Sequence, residues 1–378
     1  MNTKKTSLLY LFGLILFVTL LSTSCSAKRW YVSSQGNDAN KGTSEKAPFK
    51  TLNKAISAAS TAKNDCSIIV IGVLNAESES GNDNAVFVIG QTGEGILTIS
   101  GKEGGQGEQS AVLSGTDTNF PILRVEKKSV VRFENIEISA SANAGLIVTG
   151  GSTVTLGKGV KINNNSGAGI IVEEKSALFM EDGEISGNGE RGVYIAEECT
   201  FTMFGGRISK NTGFDLWGGG VYIGGSFTME GGTISENLVE SKVNGRGGGV
   251  CVWMEALFTL KGGQIINNKV TGWNRRGGVT NGSAGGVVVC GSPSGKTTFI
   301  MEGGEISGNS TERYAGGVLL ITDQGEKGTF TMTGGTITGN TARGGGGVYD
   351  YGGRFTVTID GGEVSGNTPD DVSDGWYW

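Results

Sequence analysis

The feature that most constrains this chain is a short phrase that recurs eight times and ends each time in asparagine. Self-similarity at a period of about 20 to 50 residues is the signature of a stacked-repeat architecture, in which one unit describes most of the molecule. The eight phrases are GVKINNN, DGEISGN, GGRISKN, GGTISEN, GGQIINN, GGEISGN, GGTITGN and GGEVSGN, and they end at Asn165, Asn188, Asn211, Asn237, Asn268, Asn309, Asn340 and Asn367.

Each unit contains two further phrases that alternate apolar and polar residues. One places a polar residue between two apolar ones, as in FTM at 201–203, and the other follows a glycine run, as in VYI at 221–223. Such alternation is the period of a half-buried strand, and glycine marks the corners at which a chain turns sharply. Three short strands per unit predict an all-β, single-stranded, three-sided solenoid of about ten to twelve turns.

The eight asparagines are interpreted as structural residues. Asparagine tolerates the left-handed conformation that a corner needs, and identical amides stacked one turn apart hydrogen-bond to each other and to the backbone. We therefore expect an asparagine ladder rather than a row of catalytic groups.

The segment between each asparagine and the next strand varies in length. It is 5 residues from Asn165 to Ile170 and 19 from Asn268 to Val287, so insertions enter at a single corner and should form one continuous bulge along an edge of the coil. Aromatic faces stack on sugar rings and anchor protein interfaces, which makes this edge a candidate binding site, although the same residues could form small cores over the coil. The candidate binding residues are Trp217, Arg246, Trp273, Arg275, Arg276, Arg313 and Tyr314.

The outward position of the strand after the glycine run is apolar in most units. An exposed apolar stripe either binds a partner or lies beneath the bulge, and covering by the bulge is the favoured interpretation. The stripe consists of Ile171, Tyr194, Tyr222, Cys251, Val288, Leu319 and Tyr349.

The first 25 residues predict an export signal. Lys4 and Lys5 precede an apolar run at 8–21, which is too short for a spanning helix, and Cys25 follows. The pattern indicates a bacterial lipoprotein signal, cleaved before a lipidated Cys25, or plain secretion if that cysteine is not used. The formal net charge of −6 would become −8 on loss of the two lysines, and an acidic, dispersed surface argues against a nucleic-acid partner.

The opening of the mature sequence, WYVS at 30–33, GNDANKGTS at 36–44 and APFKTL at 47–52, resembles that of secreted bacterial right-handed parallel β-helix proteins, the pectate-lyase-like group. The resemblance covers 30–378, and the repeats are also similar to passenger regions of polymorphic outer-membrane adhesins. The resemblance of the opening implies a first strand and capping helix at 26–60. The repeat pattern predicts degenerate turns at 61–150, regular repeats at 151–368 and a C-terminal cap at 369–378. Independently, Leu52, Ala55, Ile56 and Ala59 form the apolar stripe of a helix.

Catalytic patterns are weak. The chain has no histidine, which excludes Ser/His/Asp and Cys/His catalysis and any imidazole-bound zinc. Charged residues occupy neighbouring units as expected for cross-turn ion pairs, with Glu184 beside Arg207 and Glu230 beside Lys261. Four cysteines besides Cys25 are expected to be free thiols, since the two in adjacent units are offset by two positions; they are Cys66, Cys199, Cys251 and Cys290.

These observations favour a non-enzymatic, surface-exposed lipoprotein, a monomer without cofactor or bound metal, that uses the loop edge for adhesion to a glycan or a cell-surface protein. The alternative that the resemblance implies is a polysaccharide lyase or glycoside hydrolase, and calcium would be a cofactor in that case alone. The expected location is the cell envelope, with a lipid anchor in the membrane.

Overall fold

The computed structural model describes residues 28–75, 85–90, 95–102, 110–115, 119–214, 217–241, 245–272, 283–322 and 327–374. These residues form parallel strands and one helix, α1 (Leu52–Ala59). Among them, no helix is long and apolar enough to cross a membrane. Cys25, Trp273, Arg275 and Arg276 lie outside the described residues.

The strands, numbered in chain order, wind into a coil with three faces. The first face contains β1 (Lys28–Ser33), β2 (Cys66–Ile71), β5 (Leu97–Gly101), β8 (Val130–Glu134), β11 (Thr153–Leu156), β14 (Ala177–Met180), β17 (Thr200–Met203), β21 (Ser226–Met229), β25 (Leu257–Leu260), β29 (Thr298–Met301) and the first halves of β33 (Gly328–Thr338) and β35 (Phe355–Ser365). The second face contains β3 (Val73–Asn75), β6 (Ala111–Ser114), β9 (Ile136–Ser139), β12 (Lys161–Asn163), β15 (Glu184–Ser186), β18 (Arg207–Ser209), β22 (Thr233–Ser235), β26 (Gln264–Ile266), β30 (Glu305–Ser307) and the second halves of β33 and β35.

The third face is an 11-stranded sheet within the described residues, in agreement with the predicted ten to twelve turns. It contains β4 (Phe87–Gly90), β7 (Leu123–Glu126), β10 (Leu146–Val148), β13 (Ile170–Val172), β16 (Val193–Ile195), β20 (Val221–Ile223), β24 (Val250–Val252), β28 (Val287–Cys290), β32 (Val318–Ile321), β34 (Val348–Tyr351) and β36 (Val372–Asp374). A 4-stranded sheet of β19 (Thr212–Phe214), β23 (Leu238–Glu240), β27 (Lys269–Thr271) and β31 (Ser310–Thr311) lies between the second and third faces.

The core is made of columns of inward apolar side chains, one of which is phenylalanine in five successive turns. Because the strands pair in register, Phe201 lies beside Phe227, Phe227 beside Phe258, and so on to Phe330. Successive rings of this column stack with centroids 4.6, 5.1, 4.8 and 5.1 Å apart. Stacked aromatic pairs add to the free energy gained from burial, so the column holds the turns in register.

The asparagine ladder is confirmed. In the middle of it, Asn211 Nδ2 donates to Asn237 Oδ1 at 2.9 Å and to the Ile185 carbonyl at 3.1 Å, while Asn211 Oδ1 accepts from Asn188 N at 3.1 Å and Asn188 Nδ2 at 2.8 Å. The ladder side chains are buried, and this pattern extends from Asn165 to Asn367. In the middle of the ladder, each amide thus satisfies buried polar groups of the turn before and of the turn after its own.

One expectation about these corners is wrong. The left-handed conformation belongs to the residue before each ladder asparagine, as at Lys210 (φ 57°) and Glu236 (φ 57°), and the asparagines themselves do not have positive φ. The reason is that the residue before the asparagine makes the turn. The asparagine side chain can then point into the coil and form hydrogen bonds with the turns before and after it. Glycine takes this position in four turns, at Gly187, Gly308, Gly339 and Gly366.

The predicted helix closes one end of the coil. Leu52, Ala55, Ile56 and Ala59 are buried in α1, and Thr51 caps its first turn by accepting from Lys54 N at 3.3 Å. In the preceding loop, Asp38 accepts hydrogen bonds from the Lys50 and Thr51 amides at 2.8 and 3.0 Å. This carboxylate therefore fixes the loop to the start of the helix.

The cross-turn ion pairs are confirmed in one case and wrong in the other. Lys261 Nζ lies 3.2 Å from Glu230 Oε1. Glu184 is the strand partner of Arg207, but the Arg207 guanidinium pairs with Glu236, which lies in the next turn at the left-handed corner position. A long side chain reaches a corner residue that strand register does not reveal.

Candidate functional site

The insertion edge is built on the 4-stranded sheet that begins directly after the ladder. Beyond this sheet, Trp217 forms a parallel bridge with Arg246, and Tyr314 forms one with Gly344. Each of these residues is followed by a residue of positive φ, such as Gly218 (72°) and Gly247 (67°), where the chain turns back toward the third face. The predicted stacking of the variable segments along one edge is therefore confirmed for the described residues.

The insertions enclose a second apolar cluster on the outward surface of the third face, here called the edge cluster. The predicted covering of the apolar stripe is confirmed for its last four positions, which are buried, whereas Ile171, Tyr194 and Tyr222 are half-buried. The edge cluster consists of Cys251, Ala284, Val288, Cys290, Ala315, Leu319, Ile321, Tyr349 and Tyr351, with Trp217, Tyr222, Trp253 and Tyr314 packed against it.

Four of the seven candidate binding residues lie among the described residues, in two contacting pairs. The Arg246 guanidinium lies 5.1 Å from the Trp217 ring centre and donates to Cys290 Sγ at 3.4 Å; Arg246 is 8% exposed. The Arg313 guanidinium lies 4.9 Å from the Tyr314 ring centre. These side chains pack over the edge cluster, as the small-core interpretation proposed, and contact with a ligand stays a prediction.

A neighbouring arginine was missed in the sequence. The Arg191 guanidinium carbon lies 5.4 and 5.3 Å from the ring centres of Tyr194 and Tyr222, which are stacked 5.1 Å apart. In this near-equilateral triangle the cation lies beside the stack and Arg191 is half-buried. Burial lowers the pKa of Arg191, while the negative charge of Glu190 opposes that shift. Within the part of the chain that the structure describes, Arg191 has no carboxylate within the 4.0 Å of an ion pair.

Sequence comparison among the turns could have indicated Arg191. The corresponding position, two residues before the third-face strand, is glycine in the next three turns: Gly219, Gly248 and Gly285. An arginine in place of a recurrent glycine marks a local departure from the repeat. On the same surface, Trp253 packs against Trp217 with ring centres 4.3 Å apart and ring planes inclined by 32°. We call Arg191, Tyr194, Trp217, Tyr222 and Trp253 the aromatic edge.

The cysteines outside the signal are free and buried, as expected: Cys66, Cys199, Cys251 and Cys290. Cys251 pairs in register with Val288, two residues before Cys290. Burial raises the pKa of the Cys251 thiol, and a hydrogen bond to Cys290 raises it further. This thiol is therefore protonated at neutral pH and packs as an apolar side chain.

A groove of 510 Å³ lies at the other edge of the third face, away from the insertion edge, at the corner where the chain passes from the third face to the first face. Its carboxylates are partly neutralised, since Lys175 Nζ lies 3.4 Å from Glu198 and Lys296 Nζ 4.0 Å from Glu255. Among the described residues there is no group of three or more cysteine, aspartate and glutamate side chains that could hold a metal ion. The groove is lined by Glu197, Glu198, Cys199, Thr200, Gly224, Gly225, Ser226, Met254, Glu255, Ser292 and Pro293.

A family model described as a right handed beta helix region matches residues 121–292. Together with the parallel three-faced coil, this match decides the fold. The chain is a right-handed parallel β-helix repeat protein. The matched segment is slightly less than half of the chain and includes the ladder from Asn165 to Asn268. A comparison with curated proteins finds no match.

Proposed function

We propose that this β-helix protein is a non-enzymatic binding protein of the cell envelope, which holds a glycan or a cell-surface protein on the aromatic edge. The observation that carries the proposal is the half-buried Arg191 side chain, whose guanidinium lies beside two stacked tyrosines, without a carboxylate within ion-pair distance among the described residues. Guanidinium groups bind carboxylate and sulfate through paired hydrogen bonds, and aromatic side chains supply rigid apolar contacts. Both features suit an acidic sugar.

The test is a glycan array combined with a screen of matrix proteins. We expect binding to acidic glycans, reduced at least about tenfold by Arg191→Gln, because a charged hydrogen bond contributes about 1.5–3 kcal/mol. The matched control is Arg207→Gln on the second face, where the guanidinium is already paired with Glu236. Absence of binding to any array member, or equal losses in the two variants, would contradict the proposal.

The envelope location rests on the sequence of the first 25 residues. A lipidated Cys25 would anchor the coil to a membrane and leave the repeats exposed. Metabolic labelling with a fatty acid should mark the wild-type protein and not Cys25→Ser, and protease added to intact cells should degrade the coil. Label retained by Cys25→Ser would contradict the anchor.

The second candidate, a polysaccharide lyase or glycoside hydrolase, is favoured by the groove that Glu197, Glu198 and Glu255 line. Glycoside hydrolysis uses a pair of carboxylates, which such a groove can supply. Incubation with acidic polysaccharides and calcium, followed by ultraviolet absorbance and reducing-sugar assays, separates the candidates. Turnover that Glu255→Gln abolishes and Arg191→Gln preserves would replace binding with catalysis.

A further inference from the structure

The two ends of the coil differ in how their cores are covered. At the N-terminal end, α1 lies over the coil and buries its apolar stripe, with Leu52 and Ala55 fully buried. A coil end without such a cover exposes inward-facing apolar side chains and unpaired strand groups, both of which promote association.

At the C-terminal end, the last turn exposes residues that occupy core positions. Val357 and Ile359 pair in register with the fully buried Phe330 and Met332, yet each is 38% exposed. On the second face, Val364 pairs in register with the buried Ile337 but is itself only half-buried.

The third face ends in the same way. Val372 is 52% exposed, although its strand partner in the preceding turn, Val348, is only 1% exposed. All three faces therefore contribute inward apolar side chains to one exposed surface. We call Val357, Ile359, Val364 and Val372 the open end.

The rim of the open end is acidic. Residues 354–374 contain one base, Arg354, and five acids: Asp360, Glu363, Asp370, Asp371 and Asp374. A second copy stacked through its own open end would bring two such rims together, and juxtaposed like charges disfavour association. The apolar surface consequently suits an occupant whose side chains are uncharged.

The chain supplies such an occupant at a fixed point. Asp371 terminates the asparagine ladder by accepting from Asn367 N at 2.8 Å and Asn367 Nδ2 at 2.9 Å, and β36 then pairs with β34 as far as Asp374. Residues 375–378, Gly-Trp-Tyr-Trp, follow directly. When extended, these four residues span about 13 Å, which is enough to cross the roughly 10 Å that separates packed sheets. Each aromatic side chain can bury about 150–250 Å² of surface.

We propose that the open end is the docking surface for the chain's own C-terminal aromatic segment, Trp376, Tyr377 and Trp378, which caps the coil opposite α1. This inference is independent of the proposed binding function. The cap covers the open-end valines and isoleucine and keeps the acidic rim in solvent.

The test is a double-mutant cycle in the full mature chain. One change replaces the three aromatic residues with serine and keeps the length, and the other is Val372→Ser. We expect Val372→Ser to lower the thermal midpoint in the wild-type background and to have less than about half that effect with the serine tail. The matched control is Val130→Ser in β8, a valine 37% exposed and distant from the open end, whose shift should be the same in both backgrounds. Additive effects of the tail and Val372→Ser would overturn the proposal.

Light scattering distinguishes a cap formed by the chain's own tail from the alternative occupant, a second copy of the chain. The wild-type chain should be a monomer, whereas the serine-tail variant should bind an apolar dye and associate as salt screens the acidic rim. A wild-type dimer that Val372→Asp dissociates would assign the open end to a second copy and overturn the proposal.

Discussion

Removing one amide from the middle of the ladder should destabilise the coil by several kcal/mol. The Asn211 side chain makes four hydrogen bonds: to the Ile185 carbonyl, to Asn237 Oδ1, and from the amide and Nδ2 of Asn188. At about 0.5–1.5 kcal/mol each, Asn211→Ala loses about 2–6 kcal/mol, and buried partners left unpaired move the value toward the upper limit.

Two asparagines of the same region provide the comparison. Asn165, at the end of the ladder, makes three side-chain bonds, one of them a 3.5 Å contact with the Ile138 carbonyl, so Asn165→Ala should cost about 1 kcal/mol less. Asn163 is half-buried and accepts one 3.4 Å bond from Asn164, so Asn163→Ala should cost less than about 1 kcal/mol.

Urea unfolding followed by circular dichroism measures these differences, through the midpoint and slope of each transition. Hydrogen exchange adds a local signature, because the Asn188 amide donates to Asn211 Oδ1 at 3.1 Å and should lose protection in Asn211→Ala. Equal losses for Asn211→Ala and Asn163→Ala, or unchanged protection of the Asn188 amide, would refute the account of the ladder.

Three further predictions concern the corners and the core. Lys210 has a φ of 57°, a conformation that is strained for residues with a Cβ, so Lys210→Gly should stabilise the protein by about 1 kcal/mol. Gly339 has a φ of 63° and no atom within 4 Å of an added Cβ, so Gly339→Ala should destabilise the protein by a similar amount through backbone strain alone. Urea midpoints measure both changes. Phe258→Ala should cost about 3–5 kcal/mol in the same assay, because it removes the middle ring of the phenylalanine column. Burial and then the Asp374 charge raise the pKa of Asp350. The folded state therefore binds the proton more tightly than the unfolded state, and the charged carboxylate destabilises the fold at neutral pH. Asp350→Asn should accordingly stabilise the protein at neutral pH, with a gain that disappears as the pH falls through the raised pKa toward about 4; thermal midpoints measured across this range check the sign.

The repeated elements could be predicted from the sequence because the period determines them. The strand phrases, the ladder and the apolar stripe of α1 each depend on spacing within one unit, and the structure places them as expected. The short strands beyond the ladder were missed because three residues, as in Thr212–Phe214, carry too little alternation to indicate a strand.

The candidate site was harder to predict because its contacts depend on side-chain reach. Arg207 forms its ion pair with Glu236 and not with its strand partner Glu184. Arg246 extends over the Trp217 ring and donates a hydrogen bond to Cys290. Arg191 gains its position from a column of tyrosines that belongs to the adjacent turn as well as its own. Such contacts follow from three-dimensional stacking, and the linear pattern of apolar and polar residues does not encode them.

The location of the insertions explains how one scaffold can carry a variable edge. The segment from the ladder asparagine to the third-face strand lengthens from 13 residues after Asn237 to 19 after Asn268, yet Val250 and Val287 remain exact strand partners. The ladder holds the chain before the insertion. Paired glycines hold it afterwards, since a Cβ at Gly249 would lie 2.8 Å from the Gly286 carbonyl oxygen.

Between these two fixed points, added loop length costs little, because closure entropy rises slowly with the number of residues. A change of loop therefore alters the edge without shifting the register of the core. For the proposed binding function, this separation predicts that ligand specificity resides at the insertion corner and its neighbouring face, where side chains can change while the amide and phenylalanine columns stay unchanged.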